Sequence, residues 1–321
     1  MERRYQACSI QLSMMVFLFS TAATGQQAVP QPAEAAKERA EEAGNIAPDQ
    51  SQRPSRHVPA YAAPTTIVVH GRIAEDDQIG DYNQPRWTAT RLFPTTRVYV
   101  VPAGTVQVEY WSDTRTLFST PDQTRFRNLY ELEMGLGHRL QLDLYLRTEQ
   151  NGSQGQLDLE SEKIELRYAL TDWGVIPGNP TLYLELSRFT NAPATAEIKL
   201  LLGGNLFGPV HWGLNAVYER DLWGSALFHQ YGLTGGLSYA VIDRELSVGA
   251  EMDVESTDAG RQHRTRLDEL WVSAGPSIQW RPVPPVHLDL VALLGALGER
   301  QSDAMSFKAG IRPLLVAGWE I

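Results

Sequence analysis

From residue 106 to residue 321 the chain alternates apolar and polar residues in segment after segment. Leu140, Leu142, Leu144 and Leu146 fall on one parity, and Gln141, Asp143, Tyr145 and Arg147 on the other. Leu246, Val248, Ala250, Met252 and Val254 alternate in the same way with Ser247, Gly249, Glu251 and Asp253. A period of two belongs to a pleated strand with one apolar and one polar face. The pattern recurs over residues 105–112, 126–136, 140–148, 156–170, 181–189, 196–203, 210–220, 231–241, 246–255, 267–280, 286–295 and 306–321. The expected fold is all-β, a transmembrane antiparallel up-and-down β-barrel of about 12 strands with lipid outside and water inside.

The N-terminus sets the compartment. Arg3 and Arg4 precede an apolar stretch at 12–23, and Ala23-Thr24-Gly25 puts small residues before Gln26. Residues 1–25 therefore read as a secretory signal peptide. The one cysteine, Cys8, lies before the apolar stretch, where lipidation is not expected. Cleavage would leave no thiol for a disulfide or for metal or nucleophilic chemistry. No other apolar run is long enough for a membrane helix. A net charge of −10 argues against a nucleic-acid partner.

Residues 26–64 are rich in Pro, Ala, Gln and Glu and are expected to form a disordered periplasmic tail. Residues 65–104 mix β-branched, aromatic and basic residues with prolines and read as an ordered N-terminal segment. Arg72, Arg86, Arg91 and Arg97 could pair there with Glu131, Glu133 and Asp143, which makes the segment a possible lumen plug. Within it, Thr66-Ile-Val-Val-His-Gly71 resembles the TonB box, a segment that couples receptors to a periplasmic partner by strand addition. Residues 105–321 form the outer-membrane barrel.

Linker lengths sort by side. Residues 137–139, 205–209, 242–245 and 281–285 are tight turns; 113–125, 149–155, 221–230, 256–266 and 296–305 are longer and polar. Such barrels have short periplasmic turns and longer outer loops. Tyr168, Trp212, Tyr239, Trp280 and Trp319 mark the turn ends on the apolar parity, and Tyr130, Tyr218, Tyr231 and Phe307 the loop ends. From Tyr231 to Tyr239, at about 3.4 Å per residue and a tilt near 40°, is about 21 Å, close to the expected apolar band. The 156–170 segment switches parity near residues 161–163, as a β-bulge would.

LYELEMGLGHRLQLDLYL at 129–146 and KIELRYALTDWGVIPGNPTLYLEL at 163–186 resemble paired strands of transporter-type outer-membrane barrels associated with aromatic-compound degradation. The ending PLLVAGWEI resembles a C-terminal assembly signal read by the barrel-assembly machinery. Leu315, Ala317 and Trp319 fit it, and Ile321 stands where an aromatic residue is usual. The resemblance implies a bacterial outer-membrane location, lipid and lipopolysaccharide as surroundings, and passage of a small solute.

The polar parity should line the lumen. Its candidate residues are Glu131, Glu133, Asp143, Arg147, Glu165, Arg167, Glu185, Glu197, Lys199, Asn215, Glu219, Glu251, Asp253, Asp289, Lys308 and Arg312. Both signs occur, so cross-strand pairs with water between them are expected. Such a lumen serves passage of a small solute, or else it is an occluded structural or binding barrel. A lumen in water should also tolerate Asp143→Arg. An outer-membrane lipase would need a serine beside a histidine. His57, His70, His138, His229 and His263 fall in tails, turns or loops, and inward His211 and His287 have no such serine, so no enzyme and no catalytic residue is expected. No metal-ligand spacing and no cofactor motif occurs. Arg261, His263, Arg264 and Arg266 make a basic outer loop that lipopolysaccharide phosphates would suit.

Overall fold

The computed structural model describes residues 74–90, 92–224, 227–258, 267–301 and 304–321, all within one compact unit. The signal peptide, the 26–64 tail, Thr66–Gly71, Arg72, Arg91 and the basic residues of 259–266 lie outside the described residues.

Twelve antiparallel strands close on themselves. In chain order they are β1 Val106–Leu117, β2 Arg125–Gly137, β3 Leu140–Asn151 and β4 Asp158–Ala169. Next come β5 Thr181–Phe189, β6 Thr195–Phe207, β7 Val210–Asp221 and β8 His229–Ile242. The last four are β9 Leu246–Asp258, β10 Glu269–Val283, β11 Val286–Gln301 and β12 Ala304–Glu320. Each pairs with its sequence neighbour, and β12 pairs back to β1 from Gly310↔Leu117 to Glu320↔Gln107. Closure removes both sheet edges, so the wall can cross hydrocarbon without unpaired amides.

The period of two sorts the side chains. Leu144, Leu184, Val248, Leu290 and Leu315 point out and stay exposed, forming the lipid-facing band. Tyr168, Tyr239, Trp280 and Trp319 ring the band at the turn end, and Tyr130, Tyr231 and Phe307 at the loop end, all exposed on the outer face. An amphipathic ring suits that interface, where one side is dry and the other wet.

Two expectations change, and a third, the bulge in β4, is located. The 296–305 stretch is not a long loop: β11 and β12 stay paired up to Gln301↔Ala304. Polar pairs such as Lys308–Glu299, 2.7 Å apart, carry this ladder beyond the apolar alternation. Likewise β1 runs through Leu117 and β3 through Asn151, which brings Asp113, Arg115 and Glu149 out of the predicted loops and into the wall. The parity switch in β4 falls at Glu160, where pairing passes from Arg147↔Ser161 to Thr148↔Leu159. The extra residue is a β-bulge, and it aims Glu160 into the lumen.

Leu142→Arg and Val248→Arg each put a charge on the lipid face, at a cost of about 2–4 kcal/mol near the midplane. Both variants should lose the heat-modifiable, fast-migrating folded form in outer-membrane fractions. Glu219→Gln, inward and without an ion pair among the described residues, should keep it.

Candidate lumen site

The lumen is not empty. Residues 74–90 and 92–104 contact inward-facing side chains around most of the ring. Val98 and Phe93 abut Gly213 of β7 and Gly236 of β8. Arg97 reaches β1 and β2, Thr95 reaches β9, and Val101 reaches β3. Only a segment inside the barrel meets these walls at once.

Local chemistry explains its course. Ala74–Asp76 forms one turn whose first two free N–H groups, on Ala74 and Glu75, donate to the Asp243 carboxylate at the β8–β9 turn, at 2.7 and 3.1 Å. Burial pushes the Glu75 carboxyl above its ordinary pKa, with Arg281 pulling the other way. Gln78–Ile79 pairs with Gln84–Pro85 in a two-residue ladder, and Arg86–Ala89 makes one more turn. Trp87 is fully buried, donates from Nε1 to Asn205 at 2.7 Å, and packs edge-on against Tyr99 and Trp173. With Leu92, Phe93 and Val98 these rings form a core inside the lumen. Along the irregular stretch from 92 to 104 some amides bond within the segment, as Thr96 to the Phe93 carbonyl, and others donate to the wall: Thr95 to Glu251, Val101 to Gln141 and Gly104 to the Gly135 carbonyl.

The wall is shaped for this segment. A Cβ added at Gly213 would lie 2.5 Å from Val98 Cγ2, and one at Gly236 would lie 2.5 Å from Phe93. Only glycine leaves room for these side chains. Deeper electrostatics centre on Arg97. Its guanidinium lies among Glu109, Glu131 and Glu133, 3.2 Å from Glu109, 3.4 Å from Glu131 and in contact with Glu133. The three carboxylates offer oxygens within 4.8 Å of one another, an arrangement that holds a cation. The cation here is the chain's own. Sequence named four arginines for this part; Arg97 takes it, and Arg86 makes no ion pair among the described residues.

Register brings six of the expected lumen carboxylates into one row. Glu133 faces Asp143, Asp143 faces Glu165, Glu165 faces Glu185, Glu185 faces Glu197 and Glu197 faces Glu219. The row runs from β2 to β7, and because barrel strands tilt it climbs from the turn half of the lumen to the loop half. Like charges facing across strands repel. Neighbouring rows supply the cations: Arg167 pairs with Asp143 at 2.9 Å and with Glu165, Lys163 with Glu185 at 2.7 Å, and Lys199 with Glu197 at 2.7 Å. Asp143 is fully buried in this network, so Asp143→Arg is not the harmless change that parity alone suggested.

The remaining candidates complete the wall. Glu251 accepts from the backbone N–H and hydroxyl of Thr95. Arg312 bridges Asp113, at 2.8 Å, to Asp253. Asp289 holds His287 Nδ1 at 2.6 Å, and His287 Nε2 lies 3.3 Å from Glu109. Arg147 pairs with the bulged Glu160. Asn215 is buried on β7, and Lys308 sits near the rim. His211 packs tilted against Trp87 with its ring centroid 4.4 Å away, and His229 is in β8 rather than a loop, 2.9 Å from the Tyr218 hydroxyl.

Above Thr95 the lumen widens into a cavity of about 630 Å³ toward the loop end. Arg115, Arg125, Arg127 and Arg147 line one side; Glu197, Glu219 and Asp221 line another. Several of these residues had been placed in predicted loops. One part of the lumen wall is dry: inward Val291, Leu293, Leu314 and Val316 pack together with Trp111. The run Leu290–Leu294 is apolar on both parities, so the expectation of a polar inner face fails there.

No protein-family profile matches the chain, and no curated protein sequence matches it. Among solved structures the barrel is similar to the NanC porin, at 7% identity and a TM-score of 0.48, over 67% of this chain and 100% of that one. It is similar to the COG4313 outer membrane channel from Pseudomonas putida F1, at 13% identity and a TM-score of 0.46, over 70% of this chain and 98% of that one. The KdgM porin gives 10% identity and a TM-score of 0.41, over 67% and 99%.

Gly213→Val should drive Val98 and its neighbours off the wall, because the added side chain occupies their place. Hydrogen exchange at 92–101 should accelerate while the strands stay protected. Val98→Ala in the same chain should restore much of the protection.

Proposed function

We propose that this outer-membrane barrel is a channel for a small solute, held shut at rest by residues 74–104. The observation that supports the reading is the fit of that segment: a hydrophobic core, a glycine-lined seat and an arginine among three glutamates fill the turn half of the lumen. The loop half stays open as a vestibule above Thr95. In this reading the turn end, with the N-terminal tail, faces the periplasm, and the exposed outer band meets lipid and lipopolysaccharide. The C-terminal strand, ending Leu315, Ala317, Trp319 and Ile321, engages the assembly machinery. The lumen side chains guide a solute rather than transform it.

A deletion of residues 28–103 should leave a heat-modifiable barrel whose single-channel conductance in planar bilayers exceeds that of the full chain. A deletion of 28–64 should conduct like the full chain. Equal conductance in all three would overturn the plug and leave the segment as a periplasmic interaction arm, whereas no conductance in any of them would make the barrel a structural or binding one.

A specific observation supports a sideways branch of the same route. On the outer face a hollow of about 440 Å³ is lined by Pro276, Ala292, Pro313 and Leu314, and Leu314 also lines the vestibule. The β10–β11 pairing passes from Ala274↔Leu294 to Ser277↔Val291, and the β12–β1 pairing from Ile311↔Thr116 to Leu314↔Asp113. Proline has no N–H to give, so both prolines interrupt the ladder beside the dry patch. An apolar solute leaving the vestibule past Leu314 would enter lipid directly. Thr114→Cys with Pro313→Cys should, once oxidised, slow transfer of an apolar fluorophore from the vestibule to lipid while ion conductance stays unchanged. Unchanged transfer would confine passage to the lumen axis.

A further inference from the structure

Among the described residues the vestibule holds charges of opposite sign on facing walls that close no ion pair, and we infer that it binds a zwitterionic solute with its two charges at opposite ends. This rests on the channel reading and adds a solute class to it.

The cationic side is on β1–β3. Arg115 and Arg125 face each other across the β1–β2 pairing, an arrangement that like charges disfavour. Arg115 is committed: it lies 3.0 Å from Glu255 and its guanidinium sits over the Trp271 ring at 4.7 Å. Arg127 is committed to Glu149 at 2.7 Å and to Glu160 at 3.2 Å. Arg125 closes no ion pair among the described residues, with Glu149 and Asp113 acting on it only at longer range, and it lines the cavity between these two cations. A guanidinium held there presents a planar pair of donors to a carboxylate.

The anionic side is on β7, the sixth position around the ring from β1 and across the lumen from β1–β3. Glu219 ends the carboxylate row. The lower members of the row each have a cation in contact, but Glu219 closes no ion pair among the described residues, with Arg147 acting on it only at longer range, and it lines the same cavity. Beside it the Thr195 hydroxyl, on a residue only 5% exposed, points into the cavity with no hydrogen-bond partner among the described residues. A buried hydroxyl left without a partner costs free energy, and a solute ammonium donating to it removes that cost. A simple anion would satisfy Arg125 and leave Glu219 facing it; a simple cation would do the reverse. A molecule carrying both charges satisfies both walls, and Arg115 with Glu255 shows that groups four strands apart around the ring can meet at this level. The volume of about 630 Å³ suits a small organic molecule with water.

The test uses 6-aminohexanoate as probe, with hexanoate and hexylamine as controls of equal chain length, titrated calorimetrically into the full-length protein in detergent micelles. 6-Aminohexanoate should bind about tenfold more tightly than either control, the equivalent of one added ion pair in a partly dry site. Arg125→Gln should reduce its affinity to that of hexylamine, and Glu219→Gln to that of hexanoate, with both variants still heat-modifiable. Hexanoate or hexylamine binding as tightly as the zwitterion overturns the inference. So do affinities that ignore both substitutions, or no binding by any probe. Binding in micelles is read without conduction, so failure here leaves the plugged channel standing, and a deletion that fails to raise conductance leaves this site standing.

Discussion

Everything in this molecule depends on closing the hydrogen-bond ladder between β12 and β1. In hydrocarbon an unpaired amide has no water to turn to, so a sheet crosses a membrane only as a ring. Once the ring closes, side chains have two destinations. The outward parity must be apolar along the band, and the inward parity receives nearly every charge the strands carry. A chain with an excess of acidic residues thus concentrates negative charge in a confined lumen.

The lumen answers that excess in two ways. Within the wall, Arg167, Lys163 and Lys199 are interleaved with the carboxylate row, so an acid meets its cation diagonally, as Asp143 and Glu185 do, or along its own strand, as Glu197 does, rather than directly across. At the lower end the wall has too few cations, and Glu109, Glu131 and Glu133 converge. Arg97 enters there on the N-terminal segment, and Trp87, Phe93 and Val98 anchor it with apolar packing that salt cannot screen. Charge and packing support each other in holding the segment, and either one weakened should loosen the other. At the upper end the row finishes at Glu219, which closes no ion pair among the described residues.

Much of the barrel was legible in the sequence because a period of two is local: Leu140–Leu146 and Leu246–Val254 reveal their faces without any knowledge of neighbours. All twelve strands follow from it. Strand ends were less legible, since Asp113, Arg115, Glu149 and Glu299 continue the ladder by polar pairing after the apolar signal stops. The carboxylate row was invisible. Glu133, Asp143, Glu165, Glu185, Glu197 and Glu219 have no regular spacing, and only the pairing registers align them. The choice of Arg97 over other arginines was likewise set by three-dimensional fit, as was the bulge that turns Glu160 inward. The dry patch could have been noticed in Leu290–Leu294, where alternation lapses.

The central claim is that residues 74–104 lie inside the barrel, and a disulfide trap tests it most directly. Thr95→Cys with Glu251→Cys joins positions whose native contact is a 2.7 Å hydrogen bond from the Thr95 N–H to the Glu251 carboxylate. The sequence has no other cysteine beyond Cys8. In outer membranes, mild oxidation should link the pair as readily as a wall control, Thr234→Cys with Asp253→Cys, whose residues face each other in register. A control that links while the 95–251 pair stays reduced would place the segment outside the lumen and contradict the account.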